Sequence, residues 1–179
     1  LRRNLSFGRE EVSDAELEKA IRIAGLDRDI EAFPQGLDTL VGERGITLSG
    51  GQKQRATLAR ALLMDPPVLI LDDCLSSVDA QTEAEILQGL RSILKEKTCL
   101  IISHRISAVK EADEILVMEE GKIIERGTHE ELVHRVLVAR AELGVAVVAV
   151  AAAGHRRVVG DVARRLLEVR RQPRPLQRL

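Results

Sequence analysis

Val68-Leu69-Ile70-Leu71 is an unbroken apolar run entered through Pro66-Pro67 and left through Asp72-Asp73. A run this short, bounded by breakers and rich in branched residues, suits a strand buried on both faces, as parallel sheets require. Thr98-Cys99-Leu100-Ile101-Ile102-Ser103 repeats the pattern, and between the two runs Ala84, Leu87, Leu90 and Leu94 recur with helical period. Strand, amphipathic helix and strand in succession predict an α/β fold, with a parallel sheet covered by helices. Functional residues of such folds gather in the loops beyond the C-terminal strand ends. Here those loops begin at Asp72-Asp73 and at His104.

The remaining punctuation agrees. Ser13-Asp14-Ala15-Glu16 is a capping box, followed by Leu17, Ala20, Ile21 and Ala24 at helical spacing and a stop at Gly25. Gln52 to Leu63 reads as a helix opened by Gly50-Gly51 and closed before Pro66. A short helix passes through Ala108 and Val109. Ile115–Met118 and Lys122–Glu125 form a predicted hairpin, and Thr128-His129-Glu130-Glu131 is a second capping box.

Charge divides the chain in two. Residues 1–134 carry 17 basic and 25 acidic side chains, whereas residues 135–179 carry 10 basic and 3 acidic ones. All six lysines lie before the boundary, and 18 of the 45 residues beyond it are Ala or Val. The chain therefore reads as one α/β region, 1–134, and an Ala/Val/Arg-rich tail, 135–179. The longest apolar run, Leu143 to Gly154, has 12 residues and falls short of the ~20 that cross a bilayer. Only Phe7 and Phe33 are aromatic, which leaves no base-stacking platform and argues against a nucleic-acid partner. Cys74 and Cys99 are too few for a disulfide framework and read as reduced thiols.

The sharpest string is Leu48-Ser49-Gly50-Gly51-Gln52. At average composition these five residues occur at a given start roughly once in a million. Two glycines allow close backbone approach, the helix that follows aims its amide groups and positive dipole end outward, and Ser49 adds a hydroxyl donor. Together they suit a terminal phosphate. Asp72 and Asp73, side by side beyond an apolar strand, suit Mg²⁺ held through water. His104 stands in the equivalent place after the next strand.

In this order the strings resemble the nucleotide-binding domain of ATP-binding cassette (ABC) transporters. Leu48 to Gln52 is similar to the family's signature loop, Val68 to Asp72 to its Walker B strand, Ser76-Ser77-Val78-Asp79 to its D-loop, and His104 to its switch histidine. Gly42-Glu43-Arg44-Gly45 and the run Gly121 to Leu132 look like exporter-type segments. The resemblance covers roughly residues 5–134. It implies the C-terminal part of a P-loop NTPase-like ABC ATPase domain, namely the signature-loop helical portion with the sheet core. It also implies ATP and Mg²⁺ as cofactors and a place on the cytoplasmic face of the cell membrane. The implied partners are a transmembrane domain and a second ATPase domain, because in this family two domains sandwich ATP between one's Walker motifs and the other's signature loop. By the same resemblance Leu48, Ser49, Gly50, Gly51, Gln52 and Asp79 contact ATP, Asp72 holds the magnesium through water, and Asp73 and His104 are catalytic.

The sequence departs from the family at three points. It contains no Gly-x-x-x-x-Gly-Lys-[Ser/Thr] phosphate loop. The chain therefore resembles an N-terminally truncated piece, and alone it is expected to hydrolyse no ATP at a useful rate. Asp73 stands where the family usually has Glu; one methylene shorter, it reaches less well toward an attacking water, as in the weakened site of a heterodimeric exporter. The tail matches nothing in the family. Its composition fits a reading-frame shift in GC-rich coding DNA or a disordered solvated tail, with a basic anion-binding segment through Arg164-Arg165 and Arg170-Arg171 as the functional alternative. Two other functions compete with the exporter. One is a signature-loop ATPase of the DNA-repair or chromosome type, which the exporter-like ending through Leu132 disfavours. The other is a non-catalytic half-site that lends its signature loop to a partner.

Overall fold

The computed structural model describes residues 1–42, 45, 47–119, 122–133 and 146–151. The chain forms two compact units, Leu1–Leu94 and Lys95–Leu179.

The first unit is mainly helical: α1 (Arg2–Leu5), α2 (Asp14–Ile23), α3 (Asp27–Ala32), a 3₁₀ turn over Gly36–Asp38, α4 (Gly50–Leu63), β1 (Val68–Asp72) and α5 (Ala80–Glu96). The predicted capping box opens α2, with Ser13 Oγ accepting from the Glu16 N–H and the Glu16 carboxylate accepting from the Ser13 N–H. At its other end the Leu26 N–H reaches the Ile21 carbonyl and the Gly25 N–H the Arg22 carbonyl. That is a Schellman closure, which needs the left-handed φ of +66° that Gly25 supplies. Leu17, Ala20 and Ile21 of α2, Leu58, Ala59 and Leu63 of α4, and Ile86 and Leu90 of α5 are buried, so each amphipathic face points into one core. A Cβ on Gly89 would lie 3.4 Å from the Ile23 Cα, so the backbones of α2 and α5 nearly touch there.

β1 forms where its apolar run predicts, with one difference. Leu69 and Leu71 are buried, but Val68 and Ile70 remain 42% and 49% exposed. The expectation of burial on both faces holds for one face only. The residues on the open face are those a parallel-sheet strand keeps for a covering layer, which the described residues do not provide.

The second unit contains β2 (Thr98–Ser103), α6 (Ile106–Val109), β3 (Glu114–Glu119), β4 (Lys122–Gly127), α7 (His129–Val133) and β5 (Ala146–Ala151). Its strands lie in the order β2-β5-β3-β4. The β3–β4 hairpin is as predicted, with a bulge at Val117/Met118, while its turn residues Glu120 and Gly121 fall outside the described residues. β5 runs antiparallel to both neighbours, Cys99 opposite Ala151 on β2 and Met118 opposite Ala146 on β3. β2 and β3 therefore point the same way, as a parallel layout requires, and a strand of opposite sense lies between them.

That strand comes from the segment that composition sets apart as a tail. For Ala146–Ala151 the expectation of disorder gives way to a strand paired on both sides. Two strands with free edges supply a full set of unpaired amides, and a segment of Ala and Val can satisfy them regardless of its origin. Residues 135–145 and 152–179, with both Arg pairs, lie outside the described residues. Among the described residues no helix is long and apolar enough to cross a membrane.

Candidate functional site

The N-terminus of α4 is built by its own cap. Ser49 has extended backbone geometry, its Oγ accepts from the Gln52 N–H at 3.2 Å, and its N–H donates to Gln52 Oε1 at 2.9 Å. Leu48, buried, anchors the loop from below. The capping bond uses an oxygen lone pair and leaves the hydroxyl proton available to donate. The N–H groups of Gly50 and Gly51 fall in the first turn, where a helix offers no internal acceptor. No acidic residue lies in that turn, so the positive end of the helix is uncompensated from within α4.

The two glycines differ. A Cβ on Gly51 would sit 2.8 Å from the Ser77 carbonyl oxygen, a contact no real Cβ makes, whereas one on Gly50 would lie 3.8 Å from the Ser77 side chain. Gly51 is therefore required by the fold itself. Gly50 is not, and its backbone can be approached closely. Both glycines were expected to serve ligand approach; the structure assigns Gly51 first to its contact with Ser77.

Ser77 is held there by Gln54, whose Oε1 accepts from the Ser77 N–H at 2.9 Å and whose Nε2 donates to Ser76 Oγ at 2.8 Å. One side chain of α4 thus ties the Ser76–Ser77 turn to that helix. The turn leaves β1 through Asp72 and Asp73, both exposed. Asp73 has a φ of +48°, a left-handed conformation that Asp tolerates better than most residues. The Ser76 N–H closes the turn on the Asp73 carbonyl, and Leu75 and Val78 bury beneath it. Asp79 ends the turn at the start of α5, its Oδ1 accepting from the Gln81 and Thr82 N–H groups at 3.1 and 3.0 Å. The Thr82 hydrogen bonds hold the Asp79 carboxyl below its ordinary range. Its carboxylate is engaged as a helix cap.

Cys74 lies within this turn. Burial, reinforced by the negative charges of Asp73 and Asp72, pushes its thiol up to about 11, so at neutral pH it is an unreactive thiol. Cys99, on β2, is pushed to the same value by burial.

Eight of the nine expected site residues lie in the first unit and one in the second. Leu48, Ser49, Gly50, Gly51, Gln52, Asp72, Asp73 and Asp79 all belong to the first unit, on α4, β1 and the turn into α5. His104 belongs to the second, exposed just beyond β2, where the Arg105 N–H donating to Ser103 Oγ shapes the backbone. Of the Gly42–Gly45 segment, Glu43 and Arg44 lie outside the described residues. Sequence reasoning passed over Gln54 and Asp29; Asp29 Oδ1 accepts from Gln52 Nε2 at 2.8 Å and its other oxygen from Arg55. It also read Ser49-x-x-Gln52 only as a phosphate cradle, although the spacing is that of a capping box.

Residues 2–76 match the family described as ABC transporter. Over 132 residues the chain is 52% identical to a protein of Bacillus subtilis described as a probable multidrug resistance ABC transporter ATP-binding/permease protein, covering 74% of this chain and 23% of that one. Over 133 residues it is 48% identical to the ATP-dependent lipid A-core flippase of Sodalis glossinidius, with the same coverage. The chain thus spans about a quarter of the length of these relatives. Among solved structures, a bacterial Atm1-family ABC exporter with ATP bound matches at a TM-score of 0.73 and 40% identity, over 79% of this chain and 25% of that one. The helical signature portion and the α/β elements described above are those of an ABC ATPase, and the chain belongs to the ABC transporter family as part of an exporter-type ATP-binding domain.

Proposed function

We propose that the protein to which this segment belongs couples ATP binding and hydrolysis to export across a membrane, and that the segment works at two sites of an ATPase pair. The observation that carries the proposal is the acid-free, glycine-led N-terminus of α4, with the Ser49 hydroxyl proton free to donate. In this reading Ser49, Gly50 and Gly51 complete the nucleotide site of a partner ATPase domain, where donors to a terminal phosphate stabilise charge developing in the transition state. Gln54 keeps the signature helix and the Ser76–Asp79 turn moving together, so that closure of the pair is felt at both.

The second site lies beyond β1. Asp72 and Asp73 are exposed and adjacent, a donor pair that fits Mg²⁺ held through water and phosphate oxygens, and no group of three His, Cys, Asp or Glu that could cage a metal by protein ligands alone occurs among the described residues. Magnesium would supply charge neutralisation on the phosphates there. Asp73 is the water-orienting residue of this site and a short one, which makes it the slow member of a heterodimer in which the intact signature loop serves the fast one. His104, in the second unit, keeps the catalytic role that the family resemblance implies. A transmembrane domain and the cytoplasmic face of the membrane complete the assignment.

The test is steady-state ATPase of the complete transporter. Ser49→Arg pushes a long cation into the cradle and is expected to lower turnover about 10²- to 10³-fold. Asp73→Asn should leave most of the turnover in place. A wild-type rate from the Ser49 variant, or near-complete loss from the Asp73 variant, would show that the two sites are assigned the wrong way round.

A further inference from the structure

Asp29, on α3, touches none of the residues expected to meet nucleotide except one. Its Oδ1 accepts from Gln52 Nε2 at 2.8 Å, and its Oδ2 pairs with the Arg55 guanidinium, one turn further along α4. The two side chains are 20% and 12% exposed. Gln52 in turn presents Oε1 to the Ser49 N–H. A primary amide has one accepting end and one donating end, and a carboxylate only accepts. Asp29 therefore fixes which way the Gln52 amide faces: NH₂ toward the carboxylate, oxygen toward Ser49. With the amide reversed, an NH₂ group would meet the Ser49 N–H donor to donor, and the capping box would lose half of its bonds. Arg55 holds the carboxylate in place for this task through a charge-assisted pair.

We propose that Asp29 is a positioning residue for the signature serine, acting through Gln52 and the Ser49 N–H to hold the Ser49 hydroxyl where it can meet a phosphate. The inference rests on the reading of Ser49 given above. Asp29→Asn keeps the shape and removes one of two acceptors; the Arg55 guanidinium takes the acceptor that remains, and the new NH₂ group faces the Gln52 NH₂.

In the complete transporter with its partner subunit, Asp29→Asn is expected to lower kcat about tenfold with little change in KM for ATP, a size typical of coupled neighbours. Ser49→Ala lowers kcat by itself, and the double variant should equal Ser49→Ala alone, because no hydroxyl is left for Asp29 to position. A merely structural role predicts the opposite, with the two losses multiplying. Multiplying losses, or an unchanged kcat in Asp29→Asn, would overturn the proposal while leaving the role of Ser49 intact. An unchanged rate in Ser49→Ala would sink the reading of Ser49 and the proposal with it. Should Asp29→Asn fail to assemble, Gln52→Met removes the amide at similar length and must show the same drop and the same non-multiplication.

Discussion

The N-termini of α2 and α4 are closed by the same device and end in opposite electrostatic states. Each has a Ser whose Oγ accepts the third-residue N–H and a third residue whose side chain returns to the Ser N–H. In α2 that third residue is Glu16, with Asp14 beside it, so the first turn neutralises its own dipole. In α4 it is Gln52, preceded by two glycines, and the turn holds no acid. The short α7, capped by Thr128 and Glu131, follows α2. The start of α4 thus differs from an ordinary helix start by one neutral substitution and the loss of the neighbouring side chains. The acid has not vanished. It stands on another helix as Asp29, where it can orient Gln52.

The largest effect should come from erasing this difference. Gln52→Glu makes α4 resemble α2, putting a negative charge at the proposed phosphate site and facing it toward Asp29. Turnover of the complete transporter should fall about 10²- to 10³-fold. The new charge also repels Asp29 and destabilises the fold, and Asp29→Asn in the same chain relieves that repulsion. The double variant should therefore recover the melting temperature and not the activity. Wild-type turnover in Gln52→Glu would show that the neutrality of this turn has no functional meaning.

The two glycines sharpen the comparison at a smaller scale. Gly51→Ala must move the Ser77 carbonyl, 2.8 Å from the new Cβ, and overpacking against backbone costs about 1–3 kcal/mol. Gly50→Ala meets only ordinary contacts and gains helix propensity, so it should stabilise the fold by up to about 1 kcal/mol. Urea unfolding of the two variants reads the opposite signs directly. Equal destabilisation by both would remove the distinction between a glycine that the fold needs and one left for a ligand.

Most of the first unit could be read from local pattern, because its signals are local: caps three residues apart, a glycine stop at Gly25, an apolar stripe on α5, a breaker-bounded strand at β1. The candidate site was legible where it follows such spacing, from Leu48 to Gln52 and at Asp72-Asp73. It was not legible where partners come from distant sequence. Nothing in the string Asp27-Arg28-Asp29 marks Asp29 as the residue that meets Gln52 and Arg55, since three acids and bases on a short helix read as a solvated face. Gln54 is one more polar residue on α4 until the turn folds back to it. β5 was missed for a different reason. Composition describes what a segment is made of, whereas strand pairing depends on whether two other strands leave an edge pair at the right separation, and Ala146–Ala151 finds one between β2 and β3.

The smallest expected effect concerns acid, and it also separates the two caps. Hydrogen bonds from the Ser13 hydroxyl and N–H, with the Arg9 contact behind them, hold the Glu16 carboxyl at about 2, well under its ordinary 4.5. A carboxyl lowered on folding stabilises the folded state above its unfolded value, and that contribution fades as pH falls through the folded value. The α2 cap should therefore be fully in force above about pH 4.5 and weaken progressively toward pH 2. Gln52 carries no titrating group, so the α4 cap should not follow the Glu16 titration. Following the Glu16 carboxyl carbon and the Ser13 and Ser49 amide protons by NMR between pH 6 and 2 would check both halves. The Ser13 amide should shift with the Glu16 titration, and the Ser49 amide should not follow it. A Glu16 midpoint near 4.5 would mean that its return bond to Ser13 is not formed in solution, and movement of the Ser49 amide in step with it would mean that the two caps are not independent.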